Sequence, residues 1–179
     1  MKGLISSLTG EQAHEVVMRL AKKGGPVADA VMEAAKGVLN AVDVDDIAED
    51  VFDSLDRINV ESCWDRAGAS RDGYTSTDEA AYELVEEALQ PFAEQSRQYR
   101  KLRMLEQERE YCMGVVLGAY RYEQESTSEF KDWCQDAPLS YVGNLLDAWR
   151  KKAADPSAKA AMAEFIRQRC PGWECDLSR

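Results

Sequence analysis

The stretch YCMGVVLGAY, residues 111–120, decides how the rest of the chain is read. It is about half the roughly 20 residues that a membrane-spanning helix needs, and Arg109, Glu110 and Arg121 stand at its edges. At 3.6 residues per turn, Cys112, Val115, Ala119 and Tyr122 fall on one side of a helix over 105–125, and Met113, Val116, Leu117 and Tyr120 on another. Little polar surface is left, so this helix belongs at the centre of a bundle. Gly114 and Gly118 agree: each costs a helix about 1 kcal/mol relative to alanine, and one turn apart they mark the close approach of a neighbouring backbone.

Outward from that centre the same period recurs and no segment alternates long enough for a strand, which predicts an all-α fold of about eight helices. Toward the N-terminus, a helix from about Glu11 to Lys23 carries Ala13, Val16, Val17 and Leu20 on one face. Gly24 and Gly25 stop it, and Pro26 opens a second helix with Val27, Val31, Ala34, Ala35 and Val38 as its expected buried stripe, making an αα-hairpin. Seven acids and no base lie between Asp43 and Asp56. Their spacing does not fit a calcium loop, because Ile47 and Ala48 occupy ligand and glycine positions. Ile47, Val51, Leu55 and Ile58 instead mark a helix stripe that Asp45 or Asp46 would cap, with the basic run RQYRKLR, 97–103, as a candidate partner for its wet face.

Residues 63–76, CWDRAGASRDGYTS, break the periodicity and read as an irregular loop. Ser76 and Glu79 then form a capping-box pattern, and a helix runs on to Pro91, where the ring is expected to break or kink it. Beyond the central helix come a short helix at SEFKDWC, 128–134, and one at PLSYVGNLLDAWRKKA, 138–153. A last helix is capped by Asp155 and started by Pro156.

Length and charge bound the function. A chain of 179 residues can bury a core without disulfide or metal staples, so a single domain over 1–179 is expected, with sub-units 1–60 and 76–170 about the loop. The formal net charge of -11 repels phosphate backbones and anionic lipid surfaces. Neither nucleic acid nor a membrane is therefore an expected partner. The opening MKGLISSLTGEQAHE has too few large apolar residues for a secretory signal, and five scattered cysteines suit a reducing compartment; a cytoplasmic protein is the expectation.

The chemistry-bearing residues are few. With one histidine, His14, any Ser-His-Asp or Cys-His device lacks a nearby nucleophile. Cys170 and Cys175 stand at the edge of zinc-ligand spacing with no second pair, so the C-terminal RQRCPGWECDLSR reads as an exposed tail with Trp173 folded back on the last helix. Glu83 with Glu86, and Glu129 with Asp132, set acids one turn apart, which supports a magnesium- or manganese-dependent phosphohydrolase as the alternative function. No cofactor and no bound metal are otherwise expected. The residue types that dominate protein interfaces gather in the loop as Trp64, Arg66, Arg71 and Tyr74. They are the expected partner-binding residues of a non-enzymatic module.

The order of LTGEQAHEVVMRLAKKGGPVADAVMEAA (8–35), VDVDDIAEDVFDSLD (42–56), a Gly-Tyr loop at 73–74 and AYELVEEALQPF (81–92) resembles the helical-repeat region found beside SWIM zinc fingers in prokaryotic proteins. The resemblance implies a stacked array of helix pairs, of HEAT or TPR kind, that acts as an interaction scaffold. The Cys-x-Cys and Cys-x-His of the finger itself do not occur, so its metal and any nucleic-acid role do not carry over.

Overall fold

The computed structural model describes residues 5–70 and 73–177. Among these the fold is all-α: nine α-helices, one 3-10 turn and one short β-hairpin. No described helix is long and apolar enough to cross a membrane. The chain gathers into two compact units, one ending at Ala41 and the other beginning at Val42.

The first unit is the expected αα-hairpin, α1 (Gly10–Lys22) and α2 (Gly25–Asn40). A complete capping box starts α1: Thr9 Oγ1 accepts from the Gln12 amide at 3.3 Å, and Gln12 Oε1 accepts from the Thr9 amide at 3.0 Å. The turn needs glycine, since Gly24 and Gly25 sit at φ 71° and 60°. The predicted buried stripe on α2 is not buried, and neither helix holds a buried residue. Two helices cover only a narrow seam on one another, here Ala13, Leu20 and Ala21 with Ala28, Val31 and Leu39, all half-buried.

The second unit runs α3 (Val44–Asp56), α4 (Val60–Arg66), β1 (Gly68–Ser70), β2 (Gly73–Thr75), α5 (Thr77–Lys101), α6 (Leu105–Glu125), a 3-10 turn (Glu129–Trp133), α7 (Ala137–Lys152), α8 (Pro156–Arg169) and α9 (Glu174–Leu177). The central stretch does become the hub: α6 packs against α3, α5, α7 and α8. Its closest neighbour is the acidic helix α3, which lies across the two glycines. A Cβ on Gly114 would stand 2.7 Å from Ile47 Cβ, and one on Gly118 would stand 2.5 Å from the Ala48 carbonyl oxygen. Ala48, Val51 and Leu55 are buried there while the acids of α3 face out. Asp43, not Asp45 or Asp46, is the cap, accepting from both their amides at 2.9 and 3.2 Å.

Four further expectations are corrected. The segment 63–76 is not wholly irregular: β1 and β2 pair antiparallel, with Gly68 opposite Thr75, Ala69 opposite Tyr74 and Ser70 opposite Gly73. Pro91 neither ends nor divides α5, which runs through it. Both Pro91 and Glu87, whose carbonyl loses its partner, are exposed, so the missing bond falls on the solvent side of the helix, while Leu89 and Ala93 bury the opposite face. The basic run does not reach α3; Arg100 instead pairs with Glu108, and Asp45 of α3 pairs with Arg169 at 2.6 Å. The C-terminal segment is no exposed tail. Cys170, Trp173 and Leu177 are buried, Trp173 lies edge-on to Tyr120 at 5.4 Å, and its Nε1 donates to Glu123 Oε2 at 2.8 Å. Trp173 therefore folds onto α6, and the Arg150 guanidinium donates to the Leu177 carbonyl to close the clasp.

Between α5 and α6 the chain turns on Arg103, at φ 61° the one left-handed residue other than glycine among those described. The Arg103 amide donates to the Arg100 carbonyl and the Met104 amide to the Tyr99 carbonyl, both at 2.9 Å, a Schellman closure that ordinarily takes glycine.

Candidate functional site

The residues expected to meet a partner occupy separate surroundings. Trp64, on α4, is 57% exposed and edge-on to Trp133 of the 3-10 turn at 6.3 Å. Tyr74, on β2, is 75% exposed. Arg66 ends α4 and is held by Glu87 of α5, with both guanidinium nitrogens donating at 2.8 Å, and lies 3.9 Å from Glu83. That pairing lowers the Glu87 carboxyl below its ordinary range, against a weaker desolvation. Arg71 lies outside the described residues.

The acids of the alternative reading are not gathered. Glu83 and Glu86 line a groove on α5, whereas Glu129 and Asp132 lie on the 3-10 turn, outside its lining. Among the described residues, no three of His, Cys, Asp and Glu form a group that could hold a metal ion. Cys170 is buried, and burial pushes its thiol up to about 12, opposed by Arg169.

That groove, of about 710 Å³, lies within the second unit between α5 and α7. One stripe of each helix lines it. On α5, Tyr82, Glu86, Ala93, Arg97 and Arg100 follow one another at helical spacing; on α7, Tyr141, Leu145, Ala148 and Lys152 do the same. Its polar groups are sorted by sign. Glu79, Glu83 and Glu86 hold one end of α5, and Arg97, Arg100 and Lys101 the other, joined by Lys152 at the end of α7. The floor is apolar, with Val85, Ala93, Ala137 and Trp149.

Two polar groups break that floor: Ser96, whose Oγ is hydrogen-bonded to Cys112 Sγ at 3.2 Å, and a carboxyl. Glu108, from the first turn of α6, lines the basic end yet is only 3% exposed. Its Oε1 accepts from Arg100 Nε at 2.7 Å, while its Oε2 is buried with no hydrogen-bond partner. Burial raises the Glu108 carboxyl above its ordinary value, and the bond from Arg100, with the charges of Arg100 and Lys152, opposes the rise. A buried acceptor left without a donor costs about 1–3 kcal/mol, more when it is charged.

The sequence alone did not single out Glu108. Its signal was positional: it stands one turn before Cys112, on the stripe that continues through Val115, Ala119 and Tyr122. An acid on an otherwise apolar stripe has to be explained by a partner or a ligand. Arg66, conversely, shares its neighbour Glu83 with the acidic end of the groove, so the loop and the groove meet there.

No protein-family model, no curated protein and no solved structure matches this chain.

Proposed function

We propose that the protein is a non-catalytic binding module, a helical scaffold that holds a segment of a partner protein in the groove between α5 and α7. The observation that carries the reading is the order of charge along an apolar floor, with Glu79, Glu83 and Glu86 at one end of the groove and Arg97, Arg100, Lys101 and Lys152 at the other.

The charge order selects the occupant. Natural helices gather acids in the first turn and bases in the last, because of the macrodipole. An amphipathic helix laid antiparallel to α5 sets its acidic start over Arg97, Lys101 and Lys152 and its basic end over Glu79, Glu83 and Glu86. Its apolar stripe meets Tyr82, Tyr141 and Leu145. The stretch of α5 from Glu79 to Lys101 is about 33 Å long at 1.5 Å per residue, enough for a partner helix of some six turns.

Affinity capture from native extract with mass spectrometry tests this against the loop. The double variant Arg97→Glu, Lys101→Glu and the single variant Tyr141→Ala are expected to lose the captured protein. Trp64→Ala with Tyr74→Ala is expected to keep it. If the loop variant loses the partner and the groove variants keep it, with helicity unchanged by circular dichroism, the interaction surface is the loop and the groove assignment is wrong.

A further inference from the structure

We propose that the basic end of the groove between α5 and α7 is an oxyanion site, and that a proton on Glu108 governs how tightly it holds its anion. This rests on the groove reading above, in which the acidic start of the partner helix supplies the anion. Arg97, Lys101 and Lys152 line that end, and among the described residues none of the three makes an ion pair. Bases near the end of a helix are ordinary. Bases left without acids are not, in a chain whose acids outnumber its bases 33 to 22. Every described arginine except Arg97 and Arg103 pairs with a carboxylate.

Glu108 is the carboxylate at this end, and it is not bonded to the three outer bases. It stands in the floor, 3% exposed, with Oε1 accepting from Arg100 Nε at 2.7 Å and Oε2 without a donor. An anion that settles over Arg97, Lys101 and Lys152 approaches this buried carboxylate together with the bases, and water screens the repulsion between the two poorly. A proton on Glu108 removes that repulsion and leaves the charge of Arg100 to the anion. The site gains one unit of positive charge.

The charged groups that act on Glu108 are Arg100 from α5 and Lys152 from α7, and both favour its ionised form. Cys112 lies one turn on along its own helix, and burial pushes that thiol up to about 12, so it stays neutral. Burial outweighs the two cations and raises the Glu108 carboxyl above 4.5. The proton is therefore taken up as pH falls toward the raised value. The coupling is mutual: a bound anion strengthens proton binding by the same factor by which the proton strengthens anion binding.

Inorganic sulfate, which stays a dianion throughout that range, is the probe, titrated into the full chain and followed by the amide NMR signals of Arg97, Lys101 and Lys152. The wild type is expected to bind it severalfold more tightly at about pH 5.5 than at about pH 7.5. Glu108→Gln keeps an oxygen for Arg100 Nε and lacks the charge; it is expected to bind roughly tenfold more tightly than the wild type at about pH 7.5, with little further gain on acidification. Arg97→Glu with Lys101→Glu is expected to lose the binding. The Cδ resonance of Glu108 reads the same coupling without a substitution, since saturating sulfate is expected to raise its midpoint by about one pH unit. A wild type that binds no sulfate overturns the proposal, as does a pH dependence equal in wild type and Glu108→Gln, a Glu108 midpoint that sulfate leaves in place, or binding that survives the double charge reversal. The helix reading fails separately, when capture from extract is indifferent to the groove variants although sulfate binding stays linked to Glu108.

Discussion

The hairpin of α1 and α2 and the bundle around α6 are written in the same periodic code, yet the hairpin buries nothing and α6 alone buries ten residues. What differs is the number of neighbours. An apolar arc on a helix is covered only as far as other helices reach around it, and two helices reach only a seam, whereas α3, α5, α7 and α8 surround α6. The period announces that a face wants cover; it does not say whether the same chain provides it. The turns differ as well. The hairpin takes its left-handed corner on glycines, Gly24 and Gly25, while the corner into α6 takes it on Arg103.

The contrast is broken most severely at the clasp that seals the bundle. Trp173→Ala removes a buried indole and its bond to Glu123, and is expected to cost about 3–5 kcal/mol; chemical denaturation of the full chain measures it. If the change is below about 1 kcal/mol, the C-terminal segment is not part of the core. Next comes Gly118→Ala, whose new methyl meets the Ala48 carbonyl, a backbone atom that cannot rotate away. A loss of about 2–3 kcal/mol is expected, read as a lower melting temperature.

Arg103→Gly sharpens the comparison of corners, because it gives the bundle the residue that the hairpin already uses. Relief of a left-handed side chain is expected to raise stability by about 1 kcal/mol, less the entropy of the added glycine. The smallest effect is a slope. Since burial raises Glu108 above 4.5, the folded protein binds its proton more tightly than the unfolded chain does. The stability from this group is full below 4.5 and is lost as pH rises through the raised value. Glu108→Gln is expected to flatten that decline across the same interval, seen as a difference between wild-type and variant melting curves against pH. Parallel curves would mean that Glu108 is no more buried than a surface acid.

How far the sequence could be read follows from the same contrast. The glycine pair, the α6 stripe and the outward acids of α3 were legible because one helix carried both the period and the close-approach signal. The uncovered face of the hairpin was not, since amphipathicity is the same whether or not a neighbour exists. Pro91 misled because its penalty depends on which side of the helix loses the bond, and here Glu87 and Pro91 both lie on the exposed side. Within the candidate site, Arg66, Glu83 and Glu86 stood out as residue types but not as neighbours. Arg97 and Arg100 were noticed for their charge and assigned to the wrong helix. Glu108, five positions past Arg103, closes on Arg100 only through a turn whose left-handed residue nothing in the local pattern announces.

The clasp leaves the five thiols unequal. Cys63, Cys112, Cys134 and Cys170 are buried, and Cys175, on the short α9, is exposed. Burial also raises the first four above the ordinary thiol value, so little thiolate forms on them near neutral pH. A maleimide dye therefore attaches once per native chain, and up to five times once the core opens, so that labelling stoichiometry counts unfolded molecules. The same single attachment point puts a reporter beside Trp173, where loosening of the last twenty residues would be visible before the rest of the bundle gives way.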